Sequence, residues 1–291
     1  MRHYFVTGGT GFVGRALVRE LLTRPDTFKL TLLTRNAQRH WGMLAWSSKI
    51  QFVEGDVTTS RFPDLGFTDV IHAAAEANDL LQPDLADYYY ILVEGTVRMM
   101  KFCDLVGPER VLYVSSGAVN KSDESIYCRG KRMAELACTK YFPKAKIARP
   151  FALIGEETPI GGQYAIGKFV RDAMYEGEVR YYSNGSVRSY AHVDDCAKML
   201  LDILDRGEAN TPYDVGSVHP VAIEDLAKMV AQEFSVPSKQ IEPNDPHDTS
   251  LTYIPDPTRM FPLHETITFR ESIARIHAHL RRPDLEPRSA S

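Results

Sequence analysis

No apolar run in the chain approaches the roughly 20 residues that a membrane-crossing helix needs, so a helical membrane protein is excluded. Nor is there a surplus of basic charge. Lys and Arg number 34 against 38 Asp and Glu, a formal net charge of -4, which excludes a broad nucleic-acid surface. The one basic run, Arg281-Arg282, falls in a proline-containing tail with the composition of a disordered end. Cysteine is scarce as well. The four in 291 residues (Cys103, Cys128, Cys138 and Cys196) share no metal-ligand spacing. Met1 to Thr7 reads as a strand running straight into a glycine turn, so no secretory leader is expected. The thiols are therefore expected to be reduced, in a cytoplasmic protein, with Cys128 structural rather than redox-active. His277 and His279 lie two apart on different faces of an expected helix and read as surface residues; no metal site is expected.

What the chain does have is alternation. Short apolar runs at Tyr4-Phe5-Val6, Leu30 to Leu33, Gln51 to Val53, Val70-Ile71, Val111 to Val114 and Lys146 to Ala148 are separated by longer segments. Three of those segments, Phe12 to Leu22, Leu85 to Leu105 and Tyr127 to Tyr141, have helical patterning. In the first of them Val13, Leu17, Val18, Leu21 and Leu22 recur at the spacing of one helix face. Strands alternating with helices imply crossover connections and a parallel sheet. The expected fold class is α/β, a doubly wound parallel sheet with a smaller C-terminal α/β lobe. After Pro150 the pattern loosens. Helices are expected at Tyr164 to Tyr175, Asp194 to Leu204, Ala222 to Phe234 and Thr268 to Leu280. Val179 to Val193 reads as extended with an Asn184-Gly185 turn, and Pro212 to Val215 as a strand. Prolines are dense between Pro237 and Pro262, where loops are expected.

The first strand ends in Thr7-Gly8-Gly9-Thr10-Gly11-Phe12-Val13-Gly14. Glycines at this spacing, after a strand and opening an amphipathic helix, fit a dinucleotide pyrophosphate. Gly8 permits the tight turn, Gly11 lets backbone approach the anion, and Gly14 lets the helix close on the strand. The helix start, with Thr10, Phe12 and Val13, offers backbone N–H groups to the charge. Residues 1–155 are thus expected to form a dinucleotide-binding domain, with return elements near 190–217, and residues 156–285 a smaller substrate-binding lobe. The adenosine end can be argued too. An acidic residue after the second strand would bind a ribose 2′-hydroxyl, whereas an arginine suits a 2′-phosphate. No Asp or Glu lies between Asp26 and Glu54, but Arg35 follows Leu32-Leu33-Thr34 directly and Arg39 lies one helical turn on. NADP(H) is therefore expected ahead of NAD(H); the alternative is Arg35 as a solvated loop residue.

Proton transfer at a carbon–oxygen centre falls to a tyrosine near neutral pH only if its pKa drops from about 10 toward the working range. A lysine four residues on shares its helix face, and the ammonium favours the phenolate. Tyr127-Cys128-Arg129-Gly130-Lys131 has that spacing, but so does Tyr164 with Lys168. Position separates them. Tyr127 opens the helix after the fifth strand, which runs into Ser115-Ser116, where a hydroxyl can hold the same substrate oxygen. Tyr164 follows Gly161-Gly162 with no such serine. Tyr127 and Lys131 are the expected functional pair.

As a set these segments resemble the extended short-chain dehydrogenase/reductase family, of the NAD-dependent epimerase/dehydratase type. The glycine octet is similar to that family's TGxxGxxG turn. Gly55-Asp56-Val57, His72-Ala73-Ala74-Ala75, Ser115-Ser116, Tyr127 with Lys131, Arg149-Pro150, Arg188 to Asp195 and Tyr213 to Ser217 follow in family order. The resemblance implies a Rossmann sheet, Asp56 and Val57 near the adenine, and Ala73, Ala74 and Ala75 lining the cofactor. It implies Tyr127 as general acid/base, Lys131 on the nicotinamide ribose, Ser116 orienting the substrate and Arg188 on a substrate pyrophosphate. It also implies a nucleotide-sugar substrate, and a homodimer formed by the helix of Tyr88-Tyr89-Tyr90 and the tyrosine helix.

The chain departs from the family pattern in places. Gly117 and Ala118 stand where the dehydratases carry an Asp-Glu pair. That argues against a 4,6-dehydratase and leaves a 4-ketoreductase or an epimerase, with Arg35 tipping toward a reductase. Leu92 and Ala152 replace family asparagines, and the stretch from Ser116 to Tyr127 is short. A carbonyl reductase of a small non-nucleotide substrate therefore stays open, as does a cofactor-sensing protein without turnover. For Arg188 a salt bridge to Asp194 or Asp195 is equally open.

Overall fold

The computed structural model describes residues 1–75, 85–121, 125–160, 164–242, 251–261 and 264–282. The alternation of the first half becomes β1 (Arg2–Thr7), α1 (Phe12–Thr23), β2 (Thr27–Thr34), β3 (Ile50–Glu54), β4 (Asp69–His72), α2 (Leu85–Val106), β5 (Arg110–Val114), α3 (Ile126–Tyr141) and β6 (Lys146–Pro150). There follow β7 (Ala152–Ile154), α4 (Ala165–Arg171), β8 (Val179–Tyr181), β9 (Val187–His192), α5 (Val193–Arg206) and β10 (Pro212–Val215). The last elements are β11 (Pro220–Ala222), α6 (Ile223–Phe234), β12 (Ser238–Gln240), β13 (Thr252–Tyr253) and α7 (Phe269–Leu280). The chain divides into two compact units. One comprises Met1–Pro150, Cys196–Val215 and Asp256–His264; the other comprises Phe151–Asp195, Gly216–Pro255 and Glu265–Ser291.

The first unit is built on a seven-stranded sheet in the order β10-β6-β5-β4-β1-β2-β3, every pair parallel. Its strands read as continuous apolar runs because helices cover both faces. Tyr4, Phe5, Val6, Leu30, Leu32, Val70, Ile71, Val111 and Leu112 are all buried. Phe5, Phe67, Met99, Val111, Tyr113, Ala134 and Ile147 share one core cluster, with the Phe5 and Phe67 rings stacked at 4.6 Å. On α3, Gly130 sits against α2: a Cβ there would lie 2.8 Å from Leu92 Cδ1, so the two helices approach closely. The strand order reverses between β1 and β4, where crossovers leave in opposite directions. Such a switch point opens a crevice at the carboxyl ends of the strands.

In the second unit β9 pairs antiparallel with β11 and parallel with β7 and β13, and β8 pairs with β12. Ile166, Phe169, Val170, Leu226, Val230, Ile273 and Ile276 pack α4, α6 and α7 into one apolar cluster. Three expectations are corrected here. The proline-dense stretch is not all loop: β12 and β13 form within it, held by partners on β8 and β9 rather than by their own propensity. The helix expected from Tyr164 to Tyr175 is α4 followed by a π-helical turn, Asp172–Glu176, closed by Gly177 at φ 66°. His277 is not a surface residue, because α7 turns it onto α6. It stacks on Phe234 at 4.1 Å and meets Glu233 Oε1 at 3.0 Å. The tail after residue 282 lies outside the described residues.

Candidate active site

The glycine turn sits at the switch point of the first unit. Gly8 has φ +72°, and a Cβ on it would fall 2.5 Å from the carbonyl oxygen of Ala73. Gly14 is tighter still: its Cβ would lie 2.0 Å from Gly8 O. The turn closes with Gly11 N donating to Gly8 O at 3.0 Å. Gly11, by contrast, is exposed, and its absent side chain would meet only Gly8 O, at 3.4 Å. Backbone crowding thus accounts for Gly8 and Gly14 but not for Gly11. Gly11 caps α1, whose first turn holds no acidic residue, and Thr10, Phe12 and Val13 are half-buried around it. A diphosphate fits this cradle.

The other residues expected around a dinucleotide fall on neighbouring strand ends. Ala73 N bonds to Thr7 O at 3.1 Å and Ala74 N to Thr7 Oγ1 at 3.3 Å, with Ala75 exposed just beyond. Asp56 follows β3 and accepts from Thr58 N at 2.7 Å and Thr58 Oγ1 at 2.5 Å; Val57 is buried next to it. Arg35 is exposed directly after β2.

Ser116, Tyr127 and Lys131 come from β5 and α3. Ser116 follows β5 and caps a short 3-10 turn, Gly117–Asn120, accepting from Ala118 N at 3.1 Å. Tyr127 is half-buried in the first turn of α3, which Ser125 caps. Lys131 is only 2% exposed. Its Nζ donates to Val114 O at 3.1 Å and lies 5.2 Å from the Tyr113 ring centroid and 6.0 Å from that of Tyr127. Burial pushes this ammonium down to about 8, against the opposing pull of Glu135. The second Tyr-Lys pair differs. Tyr164 is 46% exposed, and Lys168 is taken up by Asp172 at 2.8 Å.

Two groups were given no role by the sequence reading. His72 is fully buried, with Nδ1 2.7 Å from Thr7 Oγ1 and Nε2 3.2 Å from Thr96 Oγ1. Burial, with Lys131 nearby, pushes its imidazole down to about 3, so it is neutral. Glu135 accepts from Ser115 Oγ at 2.5 Å and from Arg149 Nε and Nη2 at 2.9 and 2.6 Å. Its sequence signal was its place one turn after Lys131, on the face that carries Tyr127.

In the second unit Arg188 lies over the Tyr253 ring, 5.9 Å from its centroid. Asp195, one of the acids considered for it, accepts from Thr266 N, Thr266 Oγ1 and Ile267 N at 2.8, 2.5 and 2.9 Å. Glu156, His192 and Asp194 hold their ligand atoms within 4.8 Å of one another. His192 Nδ1 accepts from Asp194 N at 3.1 Å. His192 Nε2 lies 3.2 Å from Glu156 Oε2. Among the described residues no helix is long and apolar enough to cross a membrane.

Comparison with known proteins places the chain in a family. The chain is 28% identical over 275 residues to UDP-glucuronic acid decarboxylase 2 of Arabidopsis thaliana, covering 83% of this chain and 60% of that relative. It therefore spans about 60% of the length of that curated relative. Among solved structures it resembles DesIV (dTDP-glucose 4,6-dehydratase) from Streptomyces venezuelae with NAD bound, at TM-score 0.81 and 21% identity, covering 96% of this chain and 97% of that one. It also resembles Bordetella bronchiseptica WbmG in complex with NAD and UDP, at TM-score 0.78 and 18% identity, covering 95% and 93%. The model of the NAD dependent epimerase/dehydratase family matches residues 4–216, and the chain belongs to that family.

Proposed function

We propose that the chain is an NAD(P)-dependent oxidoreductase of a nucleotide-linked sugar, a 4-ketoreductase or an epimerase, working through Ser116, Tyr127 and Lys131. The observation that carries this reading is the buried Lys131 ammonium, one helical turn from Tyr127 and bonded to the strand that leads into Ser116. A buried cation costs stability, and an acidified phenol beside it is a use that accounts for the cost. The bound nicotinamide would take or give hydride at the sugar carbon. Tyr127 Oη moves the proton at the sugar oxygen, Lys131 stabilises the phenolate form, and Ser116 Oγ hydrogen-bonds the same oxygen. Gly117 and Ala118 are buried and carry no acid or base, which disfavours elimination of water. Tyr127→Phe should cut turnover by orders of magnitude while cofactor binding stays nearly intact; unchanged turnover rejects the assignment.

Arg188, backed by Tyr253, is the proposed partner of the substrate diphosphate. NADP(H) is taken as the preferred cofactor on the strength of Arg35. The NAD bound to DesIV and WbmG makes NAD(H) the competitor, and tighter binding of NAD(H) rejects the preference. The partly exposed Tyr89, Tyr90, Met133 and Leu136 of α2 and α3 support a homodimer made by these helices; light scattering that shows only monomer rejects it. Similarity to the decarboxylase favours one second reading, loss of carbon dioxide from a nucleotide-linked uronic acid. Assay of UDP- and dTDP-linked hexoses beside UDP-glucuronate separates the two.

A further inference from the structure

Glu135 is a half-hidden acid that proton transfer by Tyr127 and Lys131 does not itself use. Its side chain is only 12% exposed, as is that of Arg149, which grips both carboxylate oxygens. Ser115 Oγ adds a third donor at 2.5 Å, and Arg149 reaches on to Asn120 Oδ1 at 3.3 Å. The carboxylate thus ties α3 to the residue after β5 and to β6, and Arg149 extends the link to Asn120. A guanidinium fork of this kind fixes a carboxylate in place through two parallel charge-assisted bonds. One turn up the helix, Lys131 is tied to the same strand end through Val114 O.

The other ionisable groups around Lys131 offer it no negative charge. His72 on β4 is neutral, held down at about 3 by burial and by Lys131 itself. Tyr113 on β5 is a phenol that burial pushes well above its ordinary range. Cys138 on α3 and Cys103 on α2 are thiols that burial pushes up, Cys103 to about 12. Arg149 on β6 is itself a cation, and Tyr127 is the group acted upon. Among the described residues, Glu135, one helical turn on, is the carboxylate whose charge favours this ammonium.

We infer that Glu135 is a positioning residue: clamped by Arg149 and Ser115, it keeps the buried ammonium of Lys131 charged beside Tyr127. The inference rests on the Tyr127–Lys131 reading above. Without the carboxylate, the first proton lost as pH rises leaves Lys131, and a phenol beside a neutral amine titrates in the ordinary tyrosine range. Direct repulsion between Glu135 and the phenolate works the other way, but across two turns, about 11 Å, against one turn for the lysine.

The test needs no substrate. Ultraviolet difference titration of the purified full chain, wild type minus Tyr127→Phe, isolates the Tyr127 phenolate. It should appear at least two pH units below the ordinary value of about 10, ahead of the Lys131 proton at about 8, and Glu135→Gln should move it upward by at least one unit. A low-titrating phenolate that does not move in Glu135→Gln overturns the inference and leaves the Tyr127–Lys131 pair standing. A wild type with no such phenolate overturns the pair, and the inference with it. A purely structural Glu135 would lower the melting temperature without moving the titration. If Glu135→Gln does not fold, Glu135→Asp, which draws the charge back from its partners, should give a smaller upward shift, and no shift again overturns the inference.

Discussion

Lys131 Nζ is fixed to the carbonyl oxygen of Val114 at 3.1 Å, so the ammonium carried by α3 is anchored on the last residue of β5. That bond sets the height of the lysine within its helix turn. It holds a charge where the surroundings disfavour one, and much of the behaviour of the site follows from it.

The lysine should weaken the fold. Its folded value of about 8 lies below the ordinary 10.5, so the unfolded chain holds the proton more tightly. The penalty is fully present below pH 8 and fades as the pH rises through 10.5. Lys131→Met should therefore raise stability at pH 7 by roughly 1–3 kcal/mol, while the proposed mechanism predicts a loss of turnover. Urea unfolding measures the first effect, and a loss of stability would count against this account.

His72 gives the opposite end of the pH scale. Its folded value of about 3 lies far below the ordinary 6.5, so the unfolded chain gains a proton that the folded chain refuses. Stability attributable to this residue is intact above about pH 6.5 and is lost as the pH falls toward 3. His72→Gln should flatten that slope, although it disturbs the bonds to Thr7 and Thr96. Equal acid slopes in both proteins would show that other groups dominate.

The glycine turn should separate stability from binding. Gly14→Ala puts a methyl 2.0 Å from Gly8 O and 2.6 Å from Gly9 Cα, both backbone atoms that cannot yield, so a loss of several kcal/mol or outright failure to fold is expected. Gly11→Ala meets only Gly8 O at 3.4 Å. It should keep its melting temperature within a few degrees yet bind NAD(P)H at least tenfold more weakly by fluorescence titration. Unaltered binding in Gly11→Ala would remove the diphosphate from this turn.

Arg188→Ala should raise the KM for a nucleotide sugar by tenfold or more with kcat little changed, because the role proposed for the arginine is to hold and not to react. An equal fall in kcat with KM constant would assign it to the chemistry instead.

The parallel sheet was legible because its strands are buried on both faces, so Tyr4-Phe5-Val6 and Val70-Ile71 read as apolar runs without needing their neighbours. The glycine turn and the Tyr127 to Lys131 spacing were legible because each is a local rule. Glu135 was not. Its partners Ser115 and Arg149 lie 20 and 14 residues away, and strand order alone brings them together. The same holds for β12 and β13, two or three residues long among prolines, which exist through their pairing with β8 and β9. The packing of His277 on Phe234 depends on how α7 meets α6, which helical periodicity alone does not specify.

The strand β10, which borders β6 in the large sheet, comes from residues Pro212–Val215. During synthesis the Lys146–Pro150 margin must therefore wait, with its peptide groups exposed, until the ribosome has released the later stretch. Truncation near Pro150 would leave a sticky border and favour aggregation, whereas a fragment that keeps Pro212–Val215 carries its own seal.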